Sequence, residues 1–158
     1  MSYDFNADEV FQMAIQMEKN GAAFYRKAAE AADDADNKTF LLELADMEID
    51  HEKTFEELRK QLTESEKAST VFDPGGEAAM YLRALVDTRV FFEKDIDVTS
   101  MREILMAAIE AEKDSIVFYL GMKDAAPDSM GKSKIDAIIR EEMGHVRLLS
   151  RKLVPLKK

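Results

Sequence analysis

Apolar side chains recur along most of this chain at alternating steps of three and four, the spacing of a single buried face on an α-helix. Between residues 41 and 62 the series reads Leu41, Leu44, Glu48, His51, Phe55, Leu58, Leu62. Two of its turns hold a glutamate and a histidine where the pattern asks for Leu. Four long segments follow the same spacing, and no pair of segments alternates with the period of two that strands require. The first is predicted to start at an Asn6 cap, with Glu9 completing a capping-box arrangement, and to run to about Ala32. "DDADN", Asp33 to Asn37, reads as a turn, and the second helix covers about Lys38 to Glu64. The "DPGG" at Asp73 to Gly76 breaks the pattern before a shorter helix over about Glu77 to Phe92. Ser100 with Glu103 offers a second capping box for a third long helix to about Lys123, and "APDSMGKS" turns the chain into a fourth that reaches about Lys152.

Shifting the sequence by 94 residues places Glu48 and His51 on Glu142 and His145, so both histidines of the chain stand three residues after a glutamate. In the same frame "AIQMEKNGAAFY" (Ala14 to Tyr25) falls on "AIEAEKDSIVFY" (Ala108 to Tyr119), and Asn6 and Glu9 fall on Ser100 and Glu103. The chain therefore reads as two copies of a helical hairpin, roughly residues 6–62 and 100–156, within a single domain spanning 1–158. A long crossover, 67–99, joins them. Run along the remaining helices, the three-and-four series gives Phe11, Ala14, Glu18, Gly21, Tyr25, Ala28, Ala32, then Leu105, Ala108, Glu112, Ser115, Tyr119, Met122, Ala126, and finally Ile135, Ile138, Glu142, His145, Leu149. Each seam has a polar centre, and together they direct four glutamates and two histidines at one interior.

Composition sets the frame for that cluster. With 158 residues, 46% hydrophobic, six Gly and three Pro, the chain is long enough to bury one core and has too little low-complexity character to stay unfolded. A net charge of −10 argues against nucleic acid or an anionic membrane as partner. The absence of cysteine excludes disulfides, thiolate metal sites and a cysteine nucleophile within this sequence, and it suits a reducing cytoplasm. Met1 to Asp8 is acidic rather than signal-like, and no apolar run approaches the roughly 18 residues that a membrane span needs. The expectation is a soluble cytoplasmic protein.

An unpartnered buried carboxylate costs several kcal/mol or keeps a proton it loses in water, so four in one layer need compensation. Lys19, Lys53, Lys113 and Arg147 lie beside the glutamates but off the seams. Two divalent cations balance four carboxylates while both histidines, neutral, donate ring nitrogens. Residues three apart stand one turn above each other on a helix face, so Glu48 with His51, and Glu142 with His145, reach neighbouring coordination positions. One Glu from each of two helices plus Glu-x-x-His from each of the other two is the donor set of ferritin-like and designed di-metal bundles.

On these residues the chain resembles a rubrerythrin-type member of the ferritin-like superfamily over nearly its whole length. The resemblance implies an all-α, ferritin-like four-helix bundle with one long crossover. It implies Glu18, Glu48, His51, Glu112, Glu142 and His145 as metal ligands and as the catalytic residues acting through the metal, with Glu48 and Glu142 shared between two iron ions. Tyr25 and Tyr119, two turns beyond Glu18 and Glu112, are candidates for hydrogen-bond donors behind the ligands, against the plainer reading as core tyrosines. Mixed oxygen and imidazole donors suit iron or manganese, and zinc also fits. The implied chemistry is reduction of hydrogen peroxide or dioxygen in defence against oxidative stress, with electrons from an external donor and a homodimer as the assembly.

The chain departs from the resemblance in several places. Classical rubrerythrins carry a cysteine-ligated rubredoxin-like module, and this sequence has no cysteine. They also carry a further glutamate one turn after the third-helix ligand, where Ser115 stands, with Gly21 at the matching point of the first helix. Bacterioferritins bind haem through a methionine at the position of Ile49, so haem is not expected. A ferroxidase or iron-storage protein is the alternative function, and a metal-free helical scaffold the bland one. The ten methionines, Met17, Met47 and Met143 among them, read as gap-filling core residues, and Asp33-Asp34 and Glu56-Glu57 as solvated surface.

Overall fold

A computed structural model describes residues 7–62, 80–82, 84, 97, 99–125 and 131–157. All regular structure among them is helical. Four long helices, α1 (Ala7–Ala31), α2 (Ala35–Lys60), α3 (Met101–Ala125) and α4 (Lys132–Leu153), are followed by a 3₁₀ turn at Val154–Lys157. The crossover helix expected over 77–92 is helical at 80–82 and 84, and its remainder, with the DPGG break and the Asn6 cap, lies outside the described residues.

Local chemistry explains the helix boundaries. Asp34 caps α2 by accepting from the backbone N–H groups of Asp36 and Asn37, so the helix begins at Ala35 rather than at Lys38. Three of the five residues of the expected turn thus belong to the first turn of the helix, where acidic Asp36 also suits the positive end of the macrodipole. Ser100 accepts from the Glu103 N–H at 3.3 Å, as a cap should. Glu103, however, reaches past it to accept from the N–H of Asp97, so the reciprocal half of the capping box goes to a residue further back. Gly131 starts α4 at φ 78, a left-handed conformation that costs glycine little, and a Cβ there would stand 2.5 Å from Leu58 Cδ2.

Cross-helix contacts fix the directions. Arg59 near the end of α2 donates to Asp8 at the start of α1, and Lys123 near the end of α3 donates to Asp136 at the start of α4, so each hairpin is antiparallel. Tyr25 pairs with Glu112 and Tyr119 with Glu18, which makes α1 antiparallel to α3. It follows that α2 and α3 run parallel, and the chain between them must return the length of the bundle, about 39 Å for a 26-residue helix. This is the ferritin-like arrangement with one crossover. Leu82, fully buried, reaches the core from that connection, while Tyr81 sits against α3 where Gly121 offers no Cβ.

The core divides into two apolar clusters. One gathers Phe11, Phe55, Leu82, Phe118, Tyr119 and Ile135. The other gathers Tyr25, Leu41, Leu44, Leu105, Leu149 and Leu153. Between them lies a layer built almost wholly of charged or ionisable side chains. Every described position of the four predicted seams is buried except Ala32, just past the end of α1.

Candidate metal centre

Each of the four helices lowers one turn of its seam into the layer between the apolar clusters. From α1 comes Glu18, from α2 Glu48 and His51, from α3 Glu112, and from α4 Glu142 and His145. None of the six exposes more than 3% of its surface. Their donor atoms converge into two overlapping groups, Glu18, Glu48, His51 and Glu142 in one and Glu48, Glu112, Glu142 and His145 in the other, each with its atoms within 4.8 Å of one another. Glu48 and Glu142 belong to both.

The two imidazoles present Nδ1 to this interior. His51 Nδ1 lies 3.1 Å from Glu142 Oε1 and 3.6 Å from Glu18 Oε2. His145 Nδ1 lies 3.0 Å from Glu142 Oε2, 3.2 Å from Glu48 Oε1 and 3.4 Å from Glu112 Oε1. The rings stack at 5.6 Å with 20° between their planes. Behind the carboxylates, Tyr25 donates to Glu112 Oε1 at 2.6 Å and Tyr119 to Glu18 Oε1 at 2.5 Å. Both phenols are fully buried, so the two tyrosines are core residues and hydrogen-bond donors at once.

Without a cation these groups are held by protons. Burial, and then the charges of Glu142 and Glu112, push the Glu48 carboxyl well above the usual carboxylate range, and burial with Glu112 and Glu18 does the same to Glu142. For Glu112 burial acts upward, but the close approach of the Glu142 carboxyl and the His145 imidazole carries it below its ordinary value. Burial pulls both imidazoles down, and contacts with the surrounding glutamates more than offset it, raising His51 and taking His145 up to about 10. Burial also raises both tyrosines, with Glu112 beside Tyr25 and Glu18 beside Tyr119 adding to it. They remain phenols that donate.

Protons do not satisfy the cluster. Glu18 Oε2, Glu48 Oε1, Glu142 Oε2 and His145 Nδ1 are buried without an aligned hydrogen-bond partner among the described residues, although each faces the shared interior. Unsatisfied buried polar atoms are rare because each costs about 1–3 kcal/mol. Four together, from one donor set of oxygens and imidazole nitrogen, fit a pair of divalent cations of the iron or manganese kind.

Two residues touch this centre in ways the sequence does not announce. Glu141, at the exposed edge of α4, reaches the outer nitrogen of His51, its Oε2 lying 2.5 Å from Nε2. Met47 Sδ stands 3.1 Å from His145 Nε2. Met17 is core as expected, but Met47 and Met143 are 39% and 46% exposed and do not fill gaps. Each adjoins a ligand in sequence and therefore points about 100° away from the seam. A pocket of about 540 Å³ between α2 and α4 opens beside Met47, Glu141, His145, Arg147 and Leu148.

The Rubrerythrin family model matches residues 9–94. The chain is similar to a ferritin-like diiron-carboxylate protein of Thermotoga maritima, solved by crystallography, at 29% identity and a TM-score of 0.69 over 94% of each chain. No curated protein matches it. No helix among the described residues is long and apolar enough to cross a membrane.

Proposed function

Because the chain belongs to the rubrerythrin family, we propose that it is a di-iron protein that reduces hydrogen peroxide or dioxygen with electrons from an external donor. The observation that carries this reading is the convergence of six buried ligand-type side chains, four of their atoms unsatisfied, on one interior. The likeness to a diiron-carboxylate protein supports iron as the metal. Glu18 and His51 would hold one ion, Glu112 and His145 the other, and Glu48 and Glu142 both. Bound there, two ferrous ions would supply one electron each, the pair needed to split the O–O bond of hydrogen peroxide and, with two protons, form two waters.

The protein's own residues supply placement and charge balance. Tyr25 and Tyr119 orient Glu112 and Glu18 by donating to Oε1 of each; in Glu18 this leaves Oε2 facing His51, whereas in Glu112 the same Oε1 also faces His145. The carboxyl protons of Glu48 and Glu142 and one proton from each imidazolium would leave as cations arrive, which keeps the layer near neutral. Apolar clusters on both sides exclude bulk water and keep the electrostatics of the layer strong. The pocket beside His145 provides the approach for a reactant of peroxide size.

Anaerobic loading with Fe(II) should saturate near two ions per chain, the capacity of one dinuclear site. Stopped-flow mixing of that form with hydrogen peroxide should give rapid oxidation, and an added reductant should sustain turnover. An unchanged spectrum overturns the redox reading, and iron uptake far beyond two per chain replaces it with storage.

A further inference from the structure

The two halves of the molecule agree closely inside the centre and part company just outside it. Tyr25 and Tyr119 are counterparts under the 94-residue shift, and each donates to a glutamate of the opposite half. Both histidines turn Nδ1 inward. The residues just before Glu48 and Glu142 are counterparts too, Met47 and Glu141, and each crosses to the outer nitrogen of the opposite half's histidine. There one half offers a carboxylate and the other a thioether.

Resting on the dinuclear centre proposed above, we propose that Glu141 is a positioning residue that makes the two cation positions unequal, tight beside His51 and weaker beside His145. An Nε2–H that donates to a carboxylate holds its ring in the tautomer whose lone pair sits on Nδ1, and it strengthens that nitrogen as a donor. The Glu141 contact at 2.5 Å does this for His51. A thioether is a weak acceptor, so Met47 neither fixes the tautomer of His145 nor strengthens its Nδ1. Outer-shell partners of this kind change metal affinity by about 10–100-fold. Glu141 is 63% exposed, so water screens its charge at a distance, and the effect is confined to the ring it touches. The weaker position is also the one next to the opening between α2 and α4, since His145 lines that pocket.

Titration of the chelator-stripped full-length protein with Co(II), followed by visible absorbance against a competing chelator, tests this. The wild type should bind about two ions in steps separated by tenfold or more. E141M should weaken the tighter step by about 10–100-fold while leaving total capacity unchanged, and E141Q, whose amide oxygen still accepts from Nε2–H, should recover most of that loss. M47E should strengthen the weaker step and bring the two together. Both positions are partly exposed, and unchanged helical circular dichroism in each variant separates these effects from misfolding. Equal steps in the wild type, or an E141M titration indistinguishable from it, overturns the asymmetry while the dinuclear centre stands. A wild type that takes up no Co(II) overturns both.

Discussion

Tyr25 and Tyr119 show how a single side chain bears on the centre. Each gives its only proton to a glutamate in the bundle interior, so Y25F or Y119F strips a donor from a buried carboxylate. Each change should cost about 2 kcal/mol in urea unfolding of the ion-free protein, the range for hydrogen bonds to charged groups. His145 carries a pH dependence. Its folded value is pushed up to about 10 from an unfolded value near 6.5, so the stability it contributes is complete below pH 6.5 and is lost as pH climbs toward 10. Thermal scans in chelator should therefore show a lower midpoint at pH 9.5 than at pH 6.5, and a midpoint that rises over that interval contradicts the assignment. The six central residues were legible in the sequence because charge at a seam position is an anomaly that apolar periodicity exposes. Glu141 and Met47 were not, since both lie off the seam and acquire partners only through the register of α4 against α2, which no local pattern encodes.

Elements were read well in their interiors and less well at their ends. The apolar spacing located all four long helices, because burial along a whole face repeats over six turns or more. The sequence pattern starts α2 three residues late, since Asp and Asn favour turns and helix caps alike, and only the geometry of Asp34 distinguishes the two. D34A should lower stability by about 1 kcal/mol, measured by chemical denaturation, with little effect on Co(II) capacity. G131A combines a left-handed backbone with a Cβ driven against Leu58. It should destabilise by about 1–3 kcal/mol and lower the thermal midpoint. If G131A melts with the wild type, Leu58 has room to move and the tight start of α4 is not a constraint.

At the scale of the molecule, a charged layer divides the core, and the bundle's stability is tied to what fills that layer. Ligands that bind only the folded chain stabilise it by mass action, about 2.7 kcal/mol for a site at a hundredfold excess over its dissociation constant. For a chain of this length Co(II) or anaerobic Fe(II) should raise the thermal midpoint by about 5–10 °C, and chelator should reverse the shift. Superimposable melts with and without metal would count against a resident cation. The bundle and its crossover, and with them parallel α2 and α3, followed from the duplicated hairpins, and the cross-helix pairs bear out those directions.

The first hairpin brings Glu18, Glu48 and His51, and the second brings Glu112, Glu142 and His145, yet each candidate ion position draws on both. Neither half owns a finished site, so a fragment stopping short of the crossover would be an incomplete claw, and capturing metal would amount to clasping the halves together.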